Sequence, residues 1–89
     1  MKCFLATIKG SVQGVGFRFN TVQKAQQLDI GGWVKNLSDD SVEVFAEGEE
    51  KQIEEFIAFL KKGPFGSRVK KITIEEKVMH GLTNFEVRY

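Results

Sequence analysis

Residues 49–64 read Glu49-Glu50-Lys51-Gln52-Ile53-Glu54-Glu55-Phe56-Ile57-Ala58-Phe59-Leu60-Lys61-Lys62-Gly63-Pro64, and this stretch constrains everything around it. Ile53, Phe56, Ile57 and Leu60 fall at i, i+3, i+4 and i+7, the single apolar stripe of a surface helix. Glu49 and Glu50 stand in its first turn and Lys61 and Lys62 in its last, each sign matched to the helix dipole. Gly63 followed by Pro64 is a stop signal. A helix with one apolar face needs a flat apolar partner, and the flanking sequence supplies strands.

Immediately upstream, Val42, Val44 and Ala46 alternate with Glu43, Phe45 and Glu47, the period of a strand with one core face. Ser38-Asp39-Asp40-Ser41 is a tight turn by composition, so Trp33-Val34-Lys35-Asn36-Leu37 before it forms the other arm of a hairpin. Gly31 and Gly32 lie beyond the end of an earlier helix, whose stripe is Phe17, Thr21, Ala25 and Leu28 at i, i+4, i+8 and i+11. Before that helix, Phe4, Ala6 and Ile8 alternate with Leu5, Thr7 and Lys9 as a first strand. Downstream of residue 64, an extended region carries Ile72 and Ile74, and a short last strand carries Phe85, Val87 and Tyr89. The order is β-α-β-β-α-β with a small extra C-terminal strand. The expected fold is therefore α+β, a ferredoxin-like sandwich in which an antiparallel sheet carries two helices on one face, as a single domain over residues 1–89.

Composition narrows the function classes. Apolar residues make up 42% of the chain, including eight Phe, enough for a core without a metal or disulfide staple. The net charge of +1 lacks the basic excess of a nucleic-acid module. Cys3 is the one cysteine, so neither an intramolecular disulfide nor a zinc site follows. The apolar stretch within residues 1–9 is too short and interrupted for a signal peptide or membrane span, so the expectation is a cytoplasmic monomer.

Gly10-Ser11-Val12-Gln13-Gly14-Val15-Gly16-Phe17-Arg18 joins the first strand to the first helix, a natural place for an anion. Glycines let backbone N–H groups converge, and the helix N-terminus adds partial positive charge. Arg18 falls in the first turn, where the dipole disfavours a cation, so a negative group is expected to compensate. A guanidinium offers paired donors that match two phosphate oxygens. A P-loop would need Gly-Lys-Ser/Thr where Phe17 and Arg18 follow Gly16, and a dinucleotide fingerprint from Gly14 would need glycine at Phe19. Neither is present. On composition alone, a plain glycine-rich connector and an anion site remain equally open.

The same stretch closely resembles the first signature of the acylphosphatase family, G-x-V-Q-G-V-x-F-R. The second signature is matched by Gly32-Trp33-Val34-Lys35-Asn36 followed by Val42-Glu43-Val44 and Ala46-Glu47-Gly48. Lys62-Gly63-Pro64 and Phe85-Glu86-Val87-Arg88-Tyr89 fit as well, so the resemblance spans nearly the whole chain. It implies hydrolysis of acyl phosphates of the acetyl or carbamoyl phosphate type, with no metal and no cofactor. It implies that the backbone amides of Gly10, Ser11, Val12, Gln13, Gly14 and Val15 cradle the phosphoryl group, that Arg18 clamps it, and that Asn36 orients the attacking water. Inorganic phosphate or sulfate is expected to fit the same site, and neither nucleic acid nor membrane is an expected partner. Contact with the acyl side is expected to be slight, giving broad specificity.

Three positions depart from the family pattern. Lys35 stands where Arg is common, and Asp29 and Asp40 stand where many relatives have glycine, so both aspartates are expected to adopt positive φ. Other residues invite plainer readings. His80 reads as a solvated loop residue, Asp39 and Asp40 as turn formers rather than a metal pair, Trp33 and Phe45 as sheet packing, and Cys3 as an inert strand residue. An RNA-recognition module on this fold would show an aromatic pattern on its third strand, whereas residues 41–47 are acidic with one aromatic. A catalytically silent binding or regulatory module on the same fold is the remaining alternative.

Overall fold

The computed structural model describes residues 1–14, 16–64 and 66–89. Their elements run β1 (Lys2–Ser11), α1 (Phe17–Gln27), β2 (Gly31–Asn36), β3 (Val42–Gly48), α2 (Glu50–Lys62), β4 (Arg68–Glu76) and β5 (Phe85–Val87). The sheet order is β4-β1-β3-β2-β5. β1 pairs antiparallel with both β3 and β4, and β2 antiparallel with β3. Because β3 lies between β1 and β2, the β1–α1–β2 connection must cross it, and β3–α2–β4 likewise crosses β1. Both crossovers carry their helices over the same face, which gives the two-layer sandwich.

The expected alternation is realised on the covered face. Phe4, Ala6 and Ile8 of β1 and Val42, Val44 and Ala46 of β3 are buried against Phe17 and Ala25 of α1 and Ile53, Phe56 and Leu60 of α2. Phe85 of β5 meets Phe56 edge-on at 5.7 Å, joining the last strand to the same core.

Two expectations about the sheet are corrected. β2 begins at Gly31 and ends at Asn36, rather than running from Trp33 to Leu37. The glycine pair looks like a linker in sequence, but Gly32 has φ 144° and packs so closely on the β3 backbone that a side chain would collide with the Phe45 carbonyl. In addition, β5 pairs parallel to β2, Gly32–Val34 against Phe85–Val87, so the sheet is mixed at that edge rather than wholly antiparallel.

The opposite face is covered in part by the connection between β4 and β5. Phe45 stacks on Trp33 at 5.9 Å and 12°, and the His80 ring lies 4.6 Å from Phe45. His80 is exposed as expected, yet it also caps an aromatic pair. Glu47, which the alternation placed on an open face, is only 2% exposed. Its carboxylate accepts the backbone N–H of His80 at 2.9 Å and of Leu82 at 2.6 Å, so its charge is hydrogen-bonded and the connection is strapped to β3. Cys3 lies beside it, its Sγ 3.9 Å from a Glu47 oxygen. Burial pushes the thiol pKa up to about 11, with the Glu47 charge and hydrogen bond acting in the same direction.

The two aspartates at glycine positions adopt left-handed backbone, Asp29 with φ 54° and Asp40 with φ 71°. At the end of α1, the Ile30 N–H donates to Ala25 O at 2.9 Å and the Asp29 N–H to Gln26 O at 3.3 Å. Those two bonds form a Schellman motif with Asp29 as its left-handed residue. Asp40 completes a three-residue hairpin loop closed by the Leu37 N–H donating to Ser41 O at 2.8 Å. Inside that loop Asp39 accepts from the N–H and the hydroxyl of Ser41, which lowers its pKa below the ordinary carboxylate value.

Candidate active site

At the junction of β1, α1, β2 and β5 is an open concavity of about 340 Å³. Arg18 reaches it from the first turn of α1, and Asn36 from the last position of β2. Val12, Gly14 and Gly16 supply its floor, and Phe17, Phe19, Val22, Val87 and Tyr89 also line it. The strand–loop–helix unit and the hairpin therefore deliver to one hollow two residues that stand eighteen positions apart in sequence.

The loop backbone explains how. Gly14 and Gly16 have φ 75° and 74°, and Gly16 is the N-cap of α1. A left-handed N-cap without a side chain turns the chain sharply, and no side chain caps the exposed amides of the first helical turn. The two helices differ here in charge. α2 places Glu50 in its first turn, whereas α1 has no acidic residue there and carries Arg18 instead. Among the described residues Arg18 forms no ion pair; its guanidinium carbon lies 5.3 Å over the ring of Tyr89. Orphan helix N–H groups and an unneutralised guanidinium give this hollow a positive character.

Asn36 presents the complementary feature. Its side-chain oxygen Oδ1 is buried and has no hydrogen-bond partner among the described residues. A buried acceptor without a donor is costly in a resting fold, and Thr21 Oγ1 in the core shares that condition.

Val12 and Gly14, two of the residues expected to offer backbone amides, line the hollow, and the others lie along the same stretch. Gly10 and Ser11 belong to β1, paired with Val69 and Arg68 of β4 across a bulge, and do not line the hollow. The Gln13 side chain turns away from it and donates to Leu37 O at 3.0 Å and Ser41 O at 2.8 Å. Val15 lies outside the described residues. Sequence reading missed the contributions of Phe19, Val22 and Tyr89. Phe19 carried one usable signal, an aromatic off the buried stripe of α1 and next to Arg18. Lys35 points to the outer face, 3.9 Å from Glu43 and 5.6 Å from the Trp33 ring, clear of the site. No group of three His, Cys, Asp or Glu among the described residues could hold a metal ion.

Comparison with known proteins gives a consistent result. The acylphosphatase family model matches residues 4–87. An acylphosphatase of Syntrophotalea carbinolica is 48% identical over 83 residues, covering 92% of this chain and 90% of its own length. The crystal structure of acylphosphatase from Bacillus subtilis superimposes with a TM-score of 0.96 at 36% identity, covering all of both chains. An acylphosphatase structure from Coxiella burnetii gives 0.93 at 40% identity, covering 98% of this chain and 92% of the other. With the signature loop, the topology and the sequence relatives all in agreement, this chain belongs to the acylphosphatase family.

Proposed function

We propose that the chain, acting as a single domain, hydrolyses acyl phosphates to a carboxylate and inorganic phosphate, and that Arg18 and Asn36 carry the reaction. The observation that bears most weight is the pairing, on one hollow, of an unneutralised guanidinium with a buried, unpartnered amide oxygen. In this reading Arg18 holds two oxygens of the phosphoryl group through its paired N–H donors. The loop backbone completes the cradle.

Asn36 Oδ1 accepts a hydrogen bond from a water molecule and fixes its line of attack on phosphorus. The water oxygen bonds to phosphorus, the bridging P–O bond breaks, and the electron pair leaves with the carboxylate. Water's protons pass to phosphate oxygens and solvent. The leaving carboxylate has a conjugate acid of pKa about 4, so no general acid is needed. Positioning and charge stabilisation suffice for such a phosphoryl transfer. The silent-module alternative is disfavoured because both Arg18 and Asn36 are retained and line one hollow. No helix of the described residues is long and apolar enough to cross a membrane. A cytoplasmic monomer is part of this proposal, and the free Cys3 thiol is compatible with it.

The test is release of inorganic phosphate from acetyl phosphate by the purified chain, with and without EDTA. Turnover insensitive to EDTA and lowered on the order of 10²–10³-fold in Arg18→Lys, with the fold intact, is the expected result. Absence of turnover in the parent chain would leave the silent module standing.

A further inference from the structure

We propose that Phe19, Val22, Val87 and Tyr89 form an acyl subsite beside the phosphate site, selecting apolar acyl chains over acetyl. This rests on the acylphosphatase reading and replaces the broad specificity expected from sequence. Phe19 and Val22 stand at i and i+3 on α1, so they share a face; Val87 and Tyr89 are two apart and share a side of β5 and its continuation. Both pairs line the same hollow as Arg18 and Asn36.

Single exposed apolar residues on a surface are ordinary. Phe19 at 64% and Tyr89 at 99% exposure are not isolated, however, because they flank Arg18, the one cation among the described lining residues, from two sides of the hollow. A phosphoryl group gains nothing from such neighbours. The substrate's other half does, since a phosphate held by Arg18, 5.3 Å from the Tyr89 ring, directs its acyl group along this wall.

The lining also limits the chemistry of the acyl group. Among the described residues, the side chains around the hollow are apolar or absent apart from Arg18, Asn36 and the Tyr89 hydroxyl. No Asp or Glu among the described lining residues awaits an amino group, and a second carboxylate on the substrate would compete for Arg18 itself. Uncharged acyl chains of several carbons, or an aryl ring, fit the wall. At about 340 Å³ the hollow exceeds what a phosphoryl group fills.

Acetyl phosphate and butyryl phosphate test this directly, because their leaving acids are of nearly equal strength and the chemical step is therefore matched. Butyryl phosphate should show a KM lower by about tenfold, at the weak end for added methylenes because the wall is open on one side. Phe19→Ser, at an exposed position, should bring the KM ratio to within about twofold, and Tyr89→Ser should move it the same way. Equal KM values in the parent chain, or a ratio that survives both substitutions, would overturn the subsite and leave the hydrolase reading intact. Failure to cleave either substrate would overturn the hydrolase reading, and the subsite with it.

Discussion

The side-chain amide of Gln13 donates to the carbonyl of Leu37 at 3.0 Å, tying the glycine loop to the residue that follows Asn36. A second bond from the same nitrogen, to Ser41 O at 2.8 Å, grips the other arm of the hairpin. β1 and β2 share no ladder, since β3 lies between them. This one side chain is a direct brace between the loop that leads to Arg18 and the hairpin turn that follows Asn36.

Gln13→Ala should therefore lower kcat by about tenfold, short of the roughly 10²-fold that a 1 Å misplacement can cost. Both carbonyls keep a backbone donor, Asp40 N–H for Leu37 and Leu37 N–H for Ser41, so the stability loss should stay near 1 kcal/mol. Steady-state kinetics and thermal melts on the same preparation separate the two. A melt shift without a kinetic defect would reduce Gln13 to a structural tie.

Asn36→Ala should move activity and stability in different directions. It removes a buried acceptor that has no partner, so the melting temperature should hold or rise. It also removes the group proposed to aim water, so kcat should fall on the order of 10²-fold while inhibition by inorganic phosphate is nearly unchanged. Equal losses of kcat and phosphate affinity would make Asn36 a ligand of the ground state instead.

Asp29→Gly should stabilise the protein. Asp29 holds φ 54° at the end of α1, where a Cβ is penalised and a carboxylate meets the negative pole of the helix. Glycine removes both penalties, and a gain of about 0.5 kcal/mol would raise the melting temperature by about 3 °C. Activity should not change, because Asp29 lies away from the hollow. A lower melting temperature would mean that the aspartate makes a local bond worth more than the strain.

Cys3 should be unreactive in the native state. With its pKa near 11 instead of 9.0, its thiolate fraction at pH 8 falls from about a tenth to about a thousandth. A disulfide reagent should label it only at the rate at which the strap or the whole fold opens. The fold favours the protonated thiol, so this contribution is complete below pH 9 and is lost as pH rises toward 11. Melting temperature should decline over that window, and Cys3→Ala should flatten the decline.

Much of this molecule was legible because its helices and hairpin obey simple periods. Ile53, Phe56 and Leu60 are buried where the stripe put them, and the glycine-like aspartates twist as their positions demanded. What stayed hidden depends on contacts between distant segments. Nothing local marks Gly31 and Gly32 as strand, because the reason is the carbonyls of Leu82 and Phe45 pressing on them. Glu47 reads as a surface charge until two backbone donors from residues 80 and 82 arrive to satisfy it. At the site, Arg18 drew notice as a cation in a first helical turn, whereas Asn36 stood out only through the signature. Tyr89 beneath Arg18 could not be foreseen from either neighbourhood.

β5 has one further consequence. It is three residues long and hydrogen-bonded on one side only, with Phe85 as its sole fully buried anchor. A strand that short opens locally long before the central sheet does, and its amides should exchange with solvent fastest among the ladders. Val87 and Tyr89 ride on it, whereas Arg18 and Asn36 stand on elements fixed to the core. The two halves of the hollow thus have different lifetimes. The part of the apolar wall that rides on β5 therefore opens more often than the part that Phe19 and Val22 hold on α1.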